Sequence, residues 1–171
     1  MEEKVKKEVR EVIKHCKLGF SIYEFRKRIN WNLSSIYETF TEDSIREFKD
    51  EINWSHVSWG GIGRSKRIKL SENFIREFKD KVDWYYISDR QKLSENFIRE
   101  FKDKVYWNKI SNYQILSKKF IYEFKEKINI DVLIQRKLIA EGEVKQIERN
   151  KAKQKLYLNN KKINRFEIMD I

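Results

Sequence analysis

The segment Leu70 to Val82 (LSENFIREFKDKV) recurs letter for letter at Leu93 to Val105. A looser copy runs from Leu116 to Ile128, and two more lie upstream around Phe48 and Phe25. This constrains the fold more than any single residue. A short unit that cannot bury its own apolar face must bury it against its neighbours, so copies in tandem predict a stacked repeat architecture. Such a chain is better suited to presenting a surface than to building a catalytic centre, which needs unlike groups converging once.

Phe25, Phe48, Phe78, Phe101 and Phe124 mark one position in five repeats, 23 residues apart except for a step of 30 between Phe48 and Phe78. The seven extra residues fall in Gly60 to Lys66. An Ile stands three residues before each Phe, and an Ile or Val four after. Trp31, Trp54, Trp84 and Trp107 stand six after, with Ile130 in the last repeat. Phe74, Ile75, Phe78 and Val82 share one face of a 3.6-residue period, with charged residues opposite. Thr41, Ser71, Ser94 and Ser117 are read as N-caps, with Glu42, Glu72 and Glu95 in the first turn where the helix dipole favours them. Asn30, Asn53, Asp83 and Asn129 are read as caps of a second, shorter helix. Tyr106 breaks that pattern, so the second helix of repeat 4 is expected to start differently.

The expected fold is therefore mainly all-α: a short α-solenoid of five helix-turn-helix repeats. Residues 1–17 form an N-terminal capping helix over repeat 1, with Val5, Val9, Val12 and a buried Cys16 on its apolar stripe. Residues 18–138 hold the five repeats, with an inserted loop at 60–66. Residues 139–171 form a basic tail with a helix and a small β-hairpin about Asn159-Asn160. Asp131 is expected to cap a longer helix running through Leu133, Ile134, Leu138, Val144 and Ile147, weakened at Gly142.

Absence of Pro fits helices joined by short turns. A single Cys excludes an internal disulfide framework and suits a reducing compartment, so a cytoplasmic location is expected. No apolar run approaches the roughly 20 residues of a membrane span, and no signal peptide is read. Net charge is +11, unevenly placed. Thr41 to Gly63 is net acidic, whereas Arg64, Lys66, Arg67 and Lys69 form one basic run. Lys145, Arg149, Lys151, Lys153, Lys155, Lys161, Lys162 and Arg165 form another. That balance favours a polyanionic or acidic partner.

Catalytic patterns are sparse. His15 and His56 are far apart, and His15 and Cys16, adjacent on a helix, point different ways. No metal or cofactor is expected. Glu47, Glu77, Glu100 and Glu123 are copies of one another, as are Asp50, Asp80 and Asp103, which reads as a repeated helix face. Gly60-Gly61-Ile62-Gly63 lacks the spacing of a P-loop. The Trp positions are expected to pack between repeats. The residues beyond them vary while the frame stays fixed, which marks them as the customised surface. Tyr85, Tyr86, Arg90, Tyr113, His56 and Trp59 are the candidate partner-binding residues. Arg64, Lys66, Arg67, Lys69, Lys151, Lys153, Lys155, Lys161, Lys162 and Arg165 are candidates for nucleic acid or an acidic partner.

The pattern LSExFIxEFxDKVxWxxIS, at Leu70 to Ser88 and, with Tyr before the Trp, at Leu93 to Ser111, resembles tandem repeats in uncharacterised proteins of giant DNA viruses and some phages. The resemblance covers about Lys17 to Leu138. It implies a viral or phage origin and an interaction role, and it carries no catalytic residue. The expected function is a non-enzymatic inhibitor of a host nucleic-acid-processing defence system, of anti-CRISPR type. Its partner would be a host protein or ribonucleoprotein complex, with direct nucleic-acid binding as the alternative.

Overall fold

The structure is a computed structural model that describes residues 1–32, 40–60, 69–140, 142–143 and 149. Among the described residues it is helical, with no strand. The expected hairpin lies outside them. The chain divides into two compact parts, Met1–Gln114 and Ile115–Ile171.

The first part opens with α1 (Glu3–His15) and a single turn, α2 (Phe25–Arg28). Three helix pairs follow: α3 (Glu42–Glu47) with α4 (Trp54–Trp59), α5 (Glu72–Glu77) with α6 (Trp84–Arg90), and α7 (Glu95–Glu100) with α8 (Trp107–Tyr113). The first helix of each pair is shorter than its apolar spacing suggested. Regular helix gives way at the Phe, and Lys81 and Val82 N–H both return to the Phe78 carbonyl in a closing turn. That turn still delivers Phe78 and Val82 to the buried side beside Phe74 and Ile75.

Local cap chemistry sets the register. Ser71 Oγ accepts from Phe74 N–H, Ser94 Oγ from Phe97 N–H, and the side chains of Asn53 and Asp83 cap α4 and α6. Thr41 is different: its hydroxyl donates to Glu8 instead of capping α3. Asn30 Oδ1 accepts from Asn32 N–H in a local turn. Contrary to expectation, α8 starts at the same register as α4 and α6 although Tyr106 offers no side-chain cap. The reason lies in the preceding repeat. Tyr106 N–H donates to the buried Ser88 Oγ at 3.0 Å, as Asp83 N–H donates to Ser58 Oγ at 2.8 Å.

These serines are one of several links that recur at the two junctions among repeats 2 to 4. Ser58 and Ser88 also donate to the carbonyls of Trp54 and Trp84, so donor and acceptor are both used. Gln91 and Gln114, both buried, accept the Leu70 and Leu93 N–H at 3.0 Å. Trp54 sits 4.8 Å from the Phe78 ring and Trp84 4.8 Å from the Phe101 ring, so these indoles pack onto the next repeat. Their Nε1 atoms donate to the carbonyls of Lys79 or Lys49 five residues back. Arg46 reaches Glu77 and Arg76 reaches Glu100 at 2.8 Å, each guanidinium lying over the Phe of the following repeat. α6 thus packs between α4 and α8.

Helix α1 reaches past repeat 1 to α3 of repeat 2. Val5, Val9 and Val12 are buried, and Glu8 accepts Thr41 N–H at 2.9 Å and the Ser44 hydroxyl at 2.6 Å. Elsewhere Glu42 and Glu72 accept the N–H of Ser71 and Ser94. Glu8 therefore supplies to repeat 2 what the preceding repeat supplies to repeats 3 and 4. Cys16 is not interior to the stripe: it is the C-cap of α1 and only half-buried. Lys17 then takes a positive φ of 50°. Leu18 N–H returns to the Ile13 carbonyl, and Lys17 N–H to Lys14, closing the helix.

The second part holds α9 (Lys118–Glu123) and α10 (Ile130–Gln135). Ser117 caps α9, and Phe120, Ile121, Ile128, Leu133 and Ile139 are buried. The longer helix expected from Asp131 does not form. Asn129 caps α10 two residues earlier, by accepting from Val132 N–H. Lys137 at φ 56° ends it, with Leu138 N–H bonded to the Leu133 carbonyl.

Candidate binding face

The second helices of repeats 2 to 4 carry the variable positions to one side. On α6, Tyr85 and Asp89 stand one turn apart, and Tyr86 and Arg90 likewise. On α8, Lys109 and Tyr113 are also one turn apart. Stacking the repeats brings these together. The Tyr85 ring meets Tyr86 at 5.3 Å and Tyr106 at 5.4 Å, both edge to face. Trp59, from α4, lies 6.2 Å from Tyr86. Lys109 Nζ sits over the rings of Tyr85 at 4.5 Å and Tyr113 at 5.5 Å.

A single carboxylate anchors the cations. Asp89 is only 5% exposed through its side chain, holds Arg90 at 2.7 Å and faces Lys109 at 3.6 Å. Hydrogen bonding to Tyr85, with the Asp89 charge beside it, holds the Lys109 ammonium above the ordinary lysine range, against the pull of desolvation. The tyrosines stay open to solvent: Tyr85 is 38% exposed, Tyr106 49% and Tyr113 56%. Three large aromatics this exposed within one cation-bearing patch are the residue types that dominate protein interfaces.

Of the candidates read from the sequence, Tyr85, Tyr86, Trp59, Arg90 and Tyr113 are gathered here. His56 stands on α4 at the register of Tyr86 and Lys109, half-buried. Lys69 is described and exposed. Arg64, Lys66, Arg67, Lys151, Lys153, Lys155, Lys161, Lys162 and Arg165 lie outside the described residues. The sequence reading missed Tyr106, Lys109 and Asp89 as members of the patch. For Tyr106 the signal was its replacement of a cap residue by an aromatic.

The repeated acids have other work. Asp50 is held by Lys81 and Asp80 by Lys104, at 2.8 and 2.7 Å. These hydrogen bonds, opposed by desolvation, keep both carboxyls below the usual aspartate range. Among the described residues no group of three or more His, Cys, Asp or Glu is placed to hold a metal, and no helix is long and apolar enough to cross a membrane. Comparison with protein-family models, curated proteins and solved structures gave no match.

Proposed function

We propose that this chain is a non-enzymatic interaction protein that docks a protein partner on the face formed by α4, α6 and α8. The observation that carries the reading is the patch around Tyr86 in which Tyr85, Tyr106 and Tyr113 are left exposed, with Lys109 over Tyr85 and Tyr113, on an otherwise cross-linked frame. The repeated carboxylates support it too, because they serve as links between repeats, with Lys81 and Lys104 on Asp50 and Asp80. The most concrete form is an inhibitor of a host nucleic-acid-processing defence effector, of anti-CRISPR type, that binds the effector and occludes it. The net charge of +11 suits a partner that itself handles nucleic acid.

The same charge, with Lys69 exposed beside the basic run Arg64, Lys66 and Arg67, favours one second reading: direct nucleic-acid binding. Affinity purification from host extract, with and without nuclease, separates the two. The first reading expects a host protein retained after nuclease treatment. Loss of every partner on nuclease treatment refutes it and leaves the second.

A further inference from the structure

The ends of α6 and α8 carry a rim of cations beside the tyrosine patch. Gln91 Oε1 accepts Leu70 N–H, which brings Lys69 and Arg90, the residues just before each, to one rim. The same bond one repeat on, from Leu93 N–H to Gln114 Oε1, brings Lys92 and Tyr113 there. Lys69, Arg90, Lys92 and Tyr113 are all exposed. Among the described residues the one carboxylate paired with Arg90 is Asp89, which is nearly buried and shared with Lys109. Among the described residues no carboxylate pairs with Lys69 or Lys92, whereas Lys81 and Lys104 each hold an Asp. The rim therefore presents positive charge at Lys69 and Lys92 that no described carboxylate neutralises.

We propose that this rim and the patch beside it bind an acidic protein segment. An aromatic or aliphatic anchor of the partner rests on Tyr85 and Tyr113, and its carboxylates meet Lys69, Arg90 and Lys92. The inference rests on the docking face above and adds the partner's chemistry. Charge complementarity requires an anion, and the tyrosines decide which kind. Nucleobases bind aromatic residues through ring faces. Lys109 already covers one face of Tyr85 and one of Tyr113, so at most one face of each ring is left to a stacking base. A carboxylate needs only the exposed ammonium and guanidinium donors of Lys69, Lys92 and Arg90.

The test uses the full chain against an immobilised library of random 12-residue peptides, with a 12-residue oligothymidylate as the competing probe. Wild type is compared with Lys69→Glu/Lys92→Glu, with the milder Lys69→Ala/Lys92→Ala, and with Tyr113→Ala, each checked for unchanged helix content by circular dichroism. The expected result is selection of peptides rich in Asp and Glu around an aromatic or aliphatic residue. Charge reversal should then weaken binding at least about tenfold, and both the alanine pair and Tyr113→Ala should weaken it in the same direction. Neutral peptides that survive charge reversal but are lost with Tyr113→Ala overturn the acidic preference and leave the docking face standing. Binding indifferent to every variant, or no peptide binding, overturns both. Oligothymidylate binding lost on charge reversal, without peptide binding, assigns the rim to nucleic acid and also overturns the proposal.

Discussion

Ser88→Ala isolates one of the links that join the repeats. Ser88 is fully buried, donates to the Trp84 carbonyl at 2.7 Å and accepts Tyr106 N–H at 3.0 Å from the next repeat. Alanine fits the same space, so packing is nearly unchanged, and the loss is the acceptor. A donor left unsatisfied away from water costs roughly 1–3 kcal/mol, against net stabilities of about 5–15 kcal/mol for a domain. Urea unfolding should therefore show a lower midpoint at constant slope. Hydrogen exchange should show faster exchange of the Tyr106 amide in particular. Ser55→Ala is the control: its hydroxyl is exposed and reaches Asp83 at 3.3 Å, so its effect should stay within about 0.5 kcal/mol. Ser58→Ala removes the same link one junction earlier and should add to Ser88→Ala within about 0.5 kcal/mol. A Ser88→Ala loss below about 0.3 kcal/mol, with Tyr106 protection intact, would refute the idea that these serines join the repeats.

Glu8→Ala removes the acceptor for Thr41 N–H and for the buried Ser44 hydroxyl, so it should cost about 1–3 kcal/mol, with faster amide exchange along α1. The Lys104 ammonium, chiefly by hydrogen bonding, holds the folded-state pKa of Asp80 below its unfolded value. This pair's contribution is thus complete above the ordinary aspartate pKa and is lost as pH falls through the lowered one. In Lys104→Met the Asp80 carboxyl should titrate at higher pH, as read by carboxyl-carbon NMR. An unchanged titration argues against the pair. Tyr113→Ala should leave stability within about 0.5 kcal/mol of wild type, because Tyr113 is mostly exposed, while still weakening partner binding.

Much of the frame was legible because its determinants are local. Ser71, Ser94, Asn53 and Asp83 cap the helices that follow them within two or three residues, and apolar spacing alone placed Phe74, Ile75 and Val82 inside. Failures came where a side chain answers to something distant in sequence. Thr41 gives its hydroxyl to Glu8, and Tyr106 needs no cap of its own because Ser88 accepts its N–H. Gln91 and Gln114 offered a signal, the same buried amide in consecutive repeats two residues before a Leu, yet their partners lie more than twenty residues away. The patch was half legible. Variability after the Trp pointed to Tyr85, Tyr86 and Tyr113, but only stacking of α6 and α8 revealed that Lys109 clasps two of them over Asp89.

Site-specific photo-crosslinking in host extract tests the docking face most directly. One protein carries p-benzoylphenylalanine at Tyr113, and a second carries it at Lys79, exposed in the turn that follows α5 and not a member of the tyrosine patch. Both are crosslinked after nuclease treatment. The docking account expects a discrete crosslinked protein from the Tyr113 position and none from Lys79. Crosslinks from Lys79 alone, or none from Tyr113 in an extract where wild type retains a partner, would place the interface elsewhere and contradict it.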